Sequence, residues 1–172
     1  TNIHIPSRIL GHNELNANIY SIDRVPFAVY NGNFTVNNIN LPTNNNSHGP
    51  LTYTDDAQIL VISNTPAQNY SYSLENEKAI LFKPYHSATL DTGNENLVKF
   101  CEKATELEIP MFVLSPYSDT NYESTKVYTE LNINPIPHST FISAYIKLWI
   151  ANSTNYDVKE FMKKPIANEF IK

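Results

Sequence analysis

One continuous stretch, from Ala79 to Pro116, constrains the fold more than any other part of the chain. It opens with Ala79–Phe82, an apolar run with the length of a buried strand. Lys83-Pro84 ends that run, because proline cannot donate to a strand ladder. A polar loop follows, and Met111–Leu114 is a second candidate for a buried strand. Between them, apolar residues recur at spacings of three and four: Leu97, Phe100, Cys101, Ala104 and Leu107. That spacing predicts a helix with one buried face.

This order of strand, loop, helix and strand predicts a right-handed crossover between two parallel strands. In open α/β sheets, ligands bind beyond the carboxyl ends of the strands. The loop from His86 to Asn96 is therefore the first place to look for function. The alternative interpretation is a polar connection that only caps the helix, since such loops are polar in any case.

Further elements are predicted on both sides of this unit. Gln58–Ser63 is a continuous apolar run, typical of a buried parallel strand. Residues 132–137 contain two prolines, so we expect no more than a short edge strand there. Residues 115–128 are predicted to form a long polar loop, and the tail from 165 to 172 is expected to be loosely ordered.

Two helices are predicted in the last third of the chain. Ser139 or Thr140 is expected to cap the first, which covers residues 141–151. Thr154 or Asp157 is expected to cap the second. Its apolar residues are Val158, Phe161 and Met162.

Residues 1–53 follow a different pattern, in which short β-prone segments alternate with Asn, Gly and Pro and helical periodicity is absent. The β-prone segments are Asn2–Ile5, Asn18–Ile22, Phe27–Tyr30 and Phe34–Val36. We therefore predict a β-rich arm over 1–53 and an α/β domain over 54–172. The predicted fold of that domain is a small flavodoxin-like parallel sheet of three to four strands with helices on both faces.

Composition argues against several classes of function. The net charge is −5 and there is no basic cluster, so no nucleic-acid partner is expected. No apolar run approaches the roughly 20 residues that a membrane span requires, and no membrane association is expected. The four glycines are dispersed and form no phosphate-binding loop, so we expect no cofactor. The single cysteine excludes an intrachain disulfide and fits a cytoplasmic location.

The titratable residues form no self-sufficient catalytic constellation. None of the five histidines stands at metal-ligand spacing from a cysteine or a carboxylate, so no metal site is expected. His86-Ser87 follows a predicted strand, but Tyr85–Thr89 lacks the glycines that a nucleophile elbow requires. Cys101 is interpreted as a small core residue. Tyrosines cluster around the predicted loops, which indicates a subunit or ligand interface there.

The order of these segments resembles the carboxyl-terminal half of bacterial L-asparaginases. Three parts of the sequence carry most of the resemblance: QILVIS, AILFKPYHSATLDTGNENL with ELEIPMFVLSP, and IPHSTFISAYIKLW. Ser7-Arg8-Ile9 and Pro26-Phe27 are similar to the segment that follows the family's amino-terminal domain. The resemblance implies a homo-oligomeric hydrolase, a dimer or a dimer of dimers, that converts asparagine, and possibly glutamine, to the acid and ammonia.

The resemblance also implies where the chemistry lies. In the family, the nucleophilic Thr belongs to a Thr-Gly-Gly-Thr motif of the amino-terminal domain, and this sequence contains no Gly-Gly. The nucleophile would then lie in another domain, and this chain alone would be inactive. Its own implied contribution is a set of substrate-side or interface residues: His86, Ser87, Thr89, Asn94, Asn96, Glu123 and Tyr128. Both registers of the family's loop motif, 86–89 and 93–96, remain open.

Two other functions compete with this hypothesis. The chain is alternatively a non-catalytic binding or oligomerisation module of the same fold. A flavodoxin-like cofactor binder is the third hypothesis, and the lack of a phosphate-binding loop after Gln58–Ser63 argues against it.

Overall fold

The computed structural model describes residues 1–12, 18–37, 39, 41, 53–85, 87–115 and 123–171. Five short strands come first: β1 (Asn2–Ile3), β2 (Ile9–His12), β3 (Ile19–Ser21), β4 (Ala28–Tyr30) and β5 (Phe34–Val36). They form an antiparallel sheet β1-β4-β5 and an antiparallel pair β2-β3. This confirms the β-rich amino-terminal region. Of the five described strands, β2 is the one that the sequence did not predict, because it has just two apolar residues beside a glycine and a histidine.

A second sheet contains four parallel strands in chain order: β6 (Ile59–Ser63), β7 (Ala79–Lys83), β8 (Met111–Leu114) and β9 (Ile133–Ile136). Four helices accompany it: α1 (Glu95–Glu106), α2 (Glu123–Glu130), α3 (Phe141–Asn152) and α4 (Val158–Lys163). The predicted α/β class and the predicted short edge strand at β9 are both confirmed. In the described part of the chain, no helix is both long enough and apolar enough to cross a bilayer.

The two faces of the sheet bury different side chains of the same strand. Ile80 and Phe82 of β7 face α1 and α2, whereas Leu81 faces α3 and α4. Each is fully buried, and burial of such a side chain stabilises the fold by about 1.5–3 kcal/mol. Cys101 packs in the first of these cores, and burial raises the pKa of its thiol to about 12. Its interpretation as a core residue is confirmed.

Side-chain caps begin three of the helices. The Asn94 side chain accepts a hydrogen bond from the amide of Asn96 at the start of α1. Thr140, not Ser139, caps α3. Asp157, not Thr154, caps α4. Each satisfies a backbone N–H that the helix itself leaves without a partner.

The long polar loop predicted over 115–128 was wrong, because α2 occupies Glu123–Glu130. Most residues of this helix are polar, so its periodicity in the sequence is weak. Val127, Tyr128 and the following Leu131 pack against the core below α1. Tertiary packing of this short apolar stripe therefore stabilises the helix, as is usual for helices of this length.

The prediction of a loosely ordered tail was also wrong. Glu169 and Phe170 are buried, and the Glu169 carboxylate accepts a hydrogen bond of 2.8 Å from the Lys147 ammonium group. Lys147 also donates to the carbonyls of Met162 and Lys164 and lies 4.0 Å from the centre of the Phe170 ring. Burial lowers the pKa of Lys147, and its hydrogen bond with Glu169 opposes that shift. The tail is thus anchored to α3 by a buried ion pair.

Arg8 joins the β-rich arm to this anchored tail. Its guanidinium group is buried and donates to the carbonyl oxygens of Asn168 (2.7 Å) and Phe170 (2.8 Å). It also contacts the Asp23 carboxylate at 3.3 Å. One side chain therefore connects the first and last segments of the chain with the link between β3 and β4.

Candidate functional site

The loop after β7 closes a tight turn at the carboxyl edge of the parallel sheet. The amide of Tyr85 donates to the carbonyl of Thr89 (3.0 Å), and the amide of Ala88 donates back to Tyr85 (2.8 Å). Ala88 has a φ of 57°, in the left-handed region that alanine rarely adopts. The hydroxyl groups of Ser87 and Thr89 lie 2.8 Å apart and share a hydrogen bond. Two candidate residues of the sequence are thus paired on a strained turn.

Tyr128 of α2 is hydrogen-bonded to this turn through its hydroxyl group. Its hydroxyl oxygen accepts the amide of Leu90 (3.1 Å), and its O–H donates to the carbonyl of Ala88 (3.3 Å). The side chain is only 2% exposed, and burial raises the pKa of Tyr128 to about 12. A buried phenol with both hydrogen-bonding roles in use shapes the loop and does not itself present a group to a ligand.

Asn94 links the same loop to the loop after β6. Beyond capping α1, its amide nitrogen donates to the carbonyl of Gln68 (2.9 Å). Gln68 donates in turn to the hydroxyl of Tyr72 (2.6 Å). Nearby, the Tyr70 hydroxyl donates to Asn64, the first residue beyond β6. The two loops at this edge therefore form one hydrogen-bonded surface.

The structure brings together some of the predicted site residues and separates others. Ser87, Thr89 and Tyr128 meet in one turn, and Asn94 and Asn96 lie at the start of α1. Glu123 is the first residue of α2, and its side chain lies outside the description. His86 lies outside the described residues altogether. The role of each remains a prediction.

Sequence reasoning missed Asn64 and Gln68 as members of this surface. The available signal was the Thr65-Pro66 turn directly after an apolar strand, at the same edge as the predicted loop. Gln68 Oε1 accepts the Thr65 amide (3.0 Å) and fixes that turn.

Among the residues that the structure describes at this edge, the arrangement offers polar contacts and no activated nucleophile. In the described residues, Ser87 pairs with another hydroxyl and not with a base. His138, two residues beyond β9, lies with Nδ1 3.0 Å from the carbonyl oxygen of Ser115. No group of three or more possible metal-ligating side chains occurs among residues 1–12, 18–37, 53–85, 87–115 and 123–171.

An apolar cavity lies away from this edge, between the arm, α3 and the tail. Its volume is about 390 Å³, and Pro6, Ile9, Ile142, Ile146 and Ile166 line it. The buried pair Lys147–Glu169 forms part of its wall. All three ammonium protons of Lys147 are donated within the protein, so the lysine has no proton to offer to a ligand there.

The buried phenol predicts a measurable pH dependence. Above pH 10, the unfolded chain ionises a tyrosine with an ordinary pKa, while folded Tyr128 keeps its proton until about pH 12. Stability should therefore fall through this window, by about 1.4 kcal/mol per pH unit at most for this group. Tyr128→Phe should flatten the dependence and cost about 1 kcal/mol at pH 7. Urea unfolding at each pH measures both effects.

Tyr53→Phe is the matched control, because Tyr53 is 71% exposed. Loss of this surface hydroxyl should change stability at pH 7 by no more than about 0.5 kcal/mol. A slope that is equal in the native chain and in Tyr128→Phe would contradict a buried, protonated Tyr128. The slope should not vanish completely, since burial also raises the pKa of Tyr70.

Solved structures show which proteins share this fold. L-asparaginase I from Vibrio cholerae O1 biovar eltor str. N16961 superposes with a TM-score of 0.72 over 96% of this chain, at 16% identity. The thermostable L-asparaginase from Thermococcus kodakarensis superposes with a TM-score of 0.70 over 99% of this chain, at 19% identity. The chain has an asparaginase-like fold. No protein-family model and no curated protein sequence matches it.

The chain spans about half of the two solved enzymes, 54% and 55% of their lengths. The resemblance read from its sequence is therefore confirmed in the fold, and it is consistent with a carboxyl-terminal asparaginase portion. Identities this low show shared architecture and not a shared reaction.

Proposed function

We propose that this chain is the carboxyl-terminal part of an asparaginase-like amidohydrolase, which converts L-asparagine and water to L-aspartate and ammonia. One observation carries the proposal: the fold match covers almost all of this chain but only about half of two L-asparaginases. On this proposal, a Thr of a further domain attacks the side-chain amide carbon and expels ammonia. Water then hydrolyses the resulting acyl-enzyme to aspartate and the free Thr.

The chain contributes substrate-side and subunit-interface contacts to that reaction. Ser87 and Thr89 are half-buried and already hydrogen-bonded to each other. Ligand binding would therefore lose little conformational entropy in ordering these two side chains. Asn94 and Asn96 lie further along the same loop, and Asn94 ties it to Gln68. Tyr128 acts through the loop and not on the substrate. We extend the proposal to a homo-oligomer, a dimer or a dimer of dimers, located in the cytoplasm.

His86 and Glu123 complete the proposed contact set. Their place in it comes from the asparaginase resemblance of the sequence. Glu123 is the first residue of α2, the helix whose Tyr128 is hydrogen-bonded to Ala88 of the loop.

Ammonia release tests whether the nucleophile lies in a further domain and not in this chain. Purified residues 1–172 should release no ammonia from L-asparagine or L-glutamine above the uncatalysed background. The longest product of the same coding sequence should release it, with a Thr-Gly-Gly-Thr segment present. Activity of residues 1–172 alone would contradict the proposal, as would an inactive longest product, which would favour a non-catalytic binding module.

Variants of the active product test the loop. Ser87→Ala should raise KM for L-asparagine about 2- to 10-fold with little change in kcat, because a contact made equally in ground and transition state is lost. Thr129→Ala is the control, since Thr129 carries an exposed hydroxyl on α2. Equal KM values for both variants would remove Ser87 from the substrate-side set.

A further inference from the structure

The loop after β6, residues 64–72, holds two residues in a strained backbone conformation. Ala67 has a φ of 58° and Tyr70 a φ of 53°, in the left-handed region that residues with a Cβ rarely adopt. Such a conformation persists only where the surrounding contacts enforce it. In this loop, the enforcing contacts converge on Gln68, which lies between the two strained residues.

The side chain of Gln68 joins both ends of this loop. Its Oε1 accepts the amide (3.0 Å) and the hydroxyl (3.3 Å) of Thr65. Its Nε2 donates to the Tyr72 hydroxyl (2.6 Å). Tyr70 and Tyr72 both pack against the Phe100 ring, with ring centres 6.0 Å apart in each pair. Because Phe100 is a buried residue of α1, the loop is fixed to the core and not only to itself.

The backbone carbonyl of Gln68 is the point where this loop meets a predicted site residue. It accepts a hydrogen bond of 2.9 Å from Asn94 Nδ2. At the same time, Asn94 Oδ1 accepts the amide of Asn96, also at 2.9 Å. Both ends of the Asn94 carboxamide are therefore bonded within the protein. Its position, and with it the cap of α1, depends on where the Gln68 carbonyl lies.

Two successive turns connect Asn94 with the paired hydroxyl groups of the site. The amide of Asn94 donates to the carbonyl of Asp91 (3.0 Å), and the amide of Thr92 donates to the carbonyl of Leu90 (2.9 Å). Leu90 directly follows Thr89. A displacement of Asn94 therefore acts on the backbone that leads to these hydroxyl groups.

We propose that Gln68 is a positioning residue of the candidate site, which holds Asn94 and Asn96 in place without touching a ligand itself. Both polar atoms of its side chain are bonded within its own loop, so it acts through its carbonyl. The inference rests on the proposed function only where it concerns the substrate. The coupling between the two loops is a property of residues 1–172.

Residue-resolved amide exchange of residues 1–172, followed by NMR, tests the coupling. Gln68→Met keeps the length of the side chain but removes its hydrogen bonds to Thr65 and Tyr72. Exchange of the Asn96 amide should become about 5-fold faster, the effect of losing one hydrogen bond. Asn96 is the informative residue, because the substitution leaves its acceptor, Asn94, in the chain. Gln68→Glu should restore the native rate, since a carboxylate accepts from the Thr65 amide and from the Tyr72 hydroxyl.

Glu75→Met is the matched control, because Glu75 is exposed in the same connection between β6 and β7. It should leave exchange of the Asn96 amide unchanged. Circular dichroism establishes that each variant is folded, and Tyr72→Phe, which removes one bond to Gln68, decides the matter if Gln68→Met is not. A native exchange rate at Asn96 in Gln68→Met overturns the proposal. So does a faster rate that Glu75→Met reproduces or that Gln68→Glu does not reverse.

The longest product of the coding sequence tests the consequence for the substrate. Gln68→Met should raise KM for L-asparagine about 2- to 10-fold with little change in kcat, and Gln68→Glu should restore KM. An unchanged KM together with faster exchange at Asn96 would overturn the positioning role. An inactive product would instead remove the proposed function, and exchange at Asn96 alone would then decide whether Gln68 holds the two asparagines.

Discussion

Lys147→Met is expected to lower the free energy of unfolding by about 3–5 kcal/mol at neutral pH. The ammonium group donates to Glu169 and to the carbonyls of Met162 and Lys164, all within the protein interior. Its removal leaves the Glu169 carboxylate buried without a counter-charge and two carbonyls without their donor. Urea unfolding followed by the fluorescence of Trp149, the single tryptophan, measures the loss.

Two further variants distinguish the contribution of the buried Lys147–Glu169 pair to stability from a general effect of removing a charge. Lys163→Met breaks a pair with Glu160 in which both side chains are 56% exposed, and should cost less than about 1 kcal/mol. Lys147→Met combined with Glu169→Gln removes both buried charges and should recover part of the stability. If Lys147→Met costs no more than Lys163→Met, the buried pair does not anchor the tail.

Arg8→Met is expected to cost about 3 kcal/mol and to release the amino-terminal arm. Its guanidinium fork satisfies the carbonyls of Asn168 and Phe170 together with the Asp23 carboxylate. Methionine fills similar space but donates nothing, so three acceptors lose their partner. Amide hydrogen exchange should become faster in β1, β2 and residues 165–171 before it changes in the parallel sheet.

Arg24→Met is the control for this experiment, because Arg24 is exposed in the same arm. It should shift stability by no more than about 0.5 kcal/mol. Arg8→Lys should recover little, since a single ammonium group cannot reproduce the geometry of the fork. Exchange that accelerates equally in the arm and in the parallel sheet would mean that the arm does not open as a separate unit.

Much of the α/β layer could be predicted from the sequence because its signals are local. The run Met111–Leu114 matched its strand without adjustment, and Gln58–Ser63 and Ala79–Phe82 each matched within one residue. A buried parallel strand is apolar along its whole length, so its position is readable from a few neighbouring residues. The helix between them was equally clear, since a repeat of three and four residues reports one buried face.

The candidate site was predictable only in outline. The sequence placed the functional loop at the carboxyl end of β7, where the structure has the Ser87–Thr89 turn. It grouped Tyr128 with the substrate- or interface-side residues, and the structure buries this side chain beneath that turn. A tyrosine in a polar segment carries no local sign of burial, because its surroundings come from another part of the chain.

The sequence by itself determined the parallel strands, the main helices and the likeness to asparaginases. Only the tertiary structure decided how the ends of the chain are held: Arg8 bonds to carbonyls 160 and 162 residues away, and Lys147 meets Glu169 across 22. Judged from its sequence neighbours, a charged residue is predicted to face solvent. Its burial becomes favourable only when the fold supplies partners from distant parts of the chain. Periodicity reports which face of an element is buried, whereas such pairings depend on how the elements assemble.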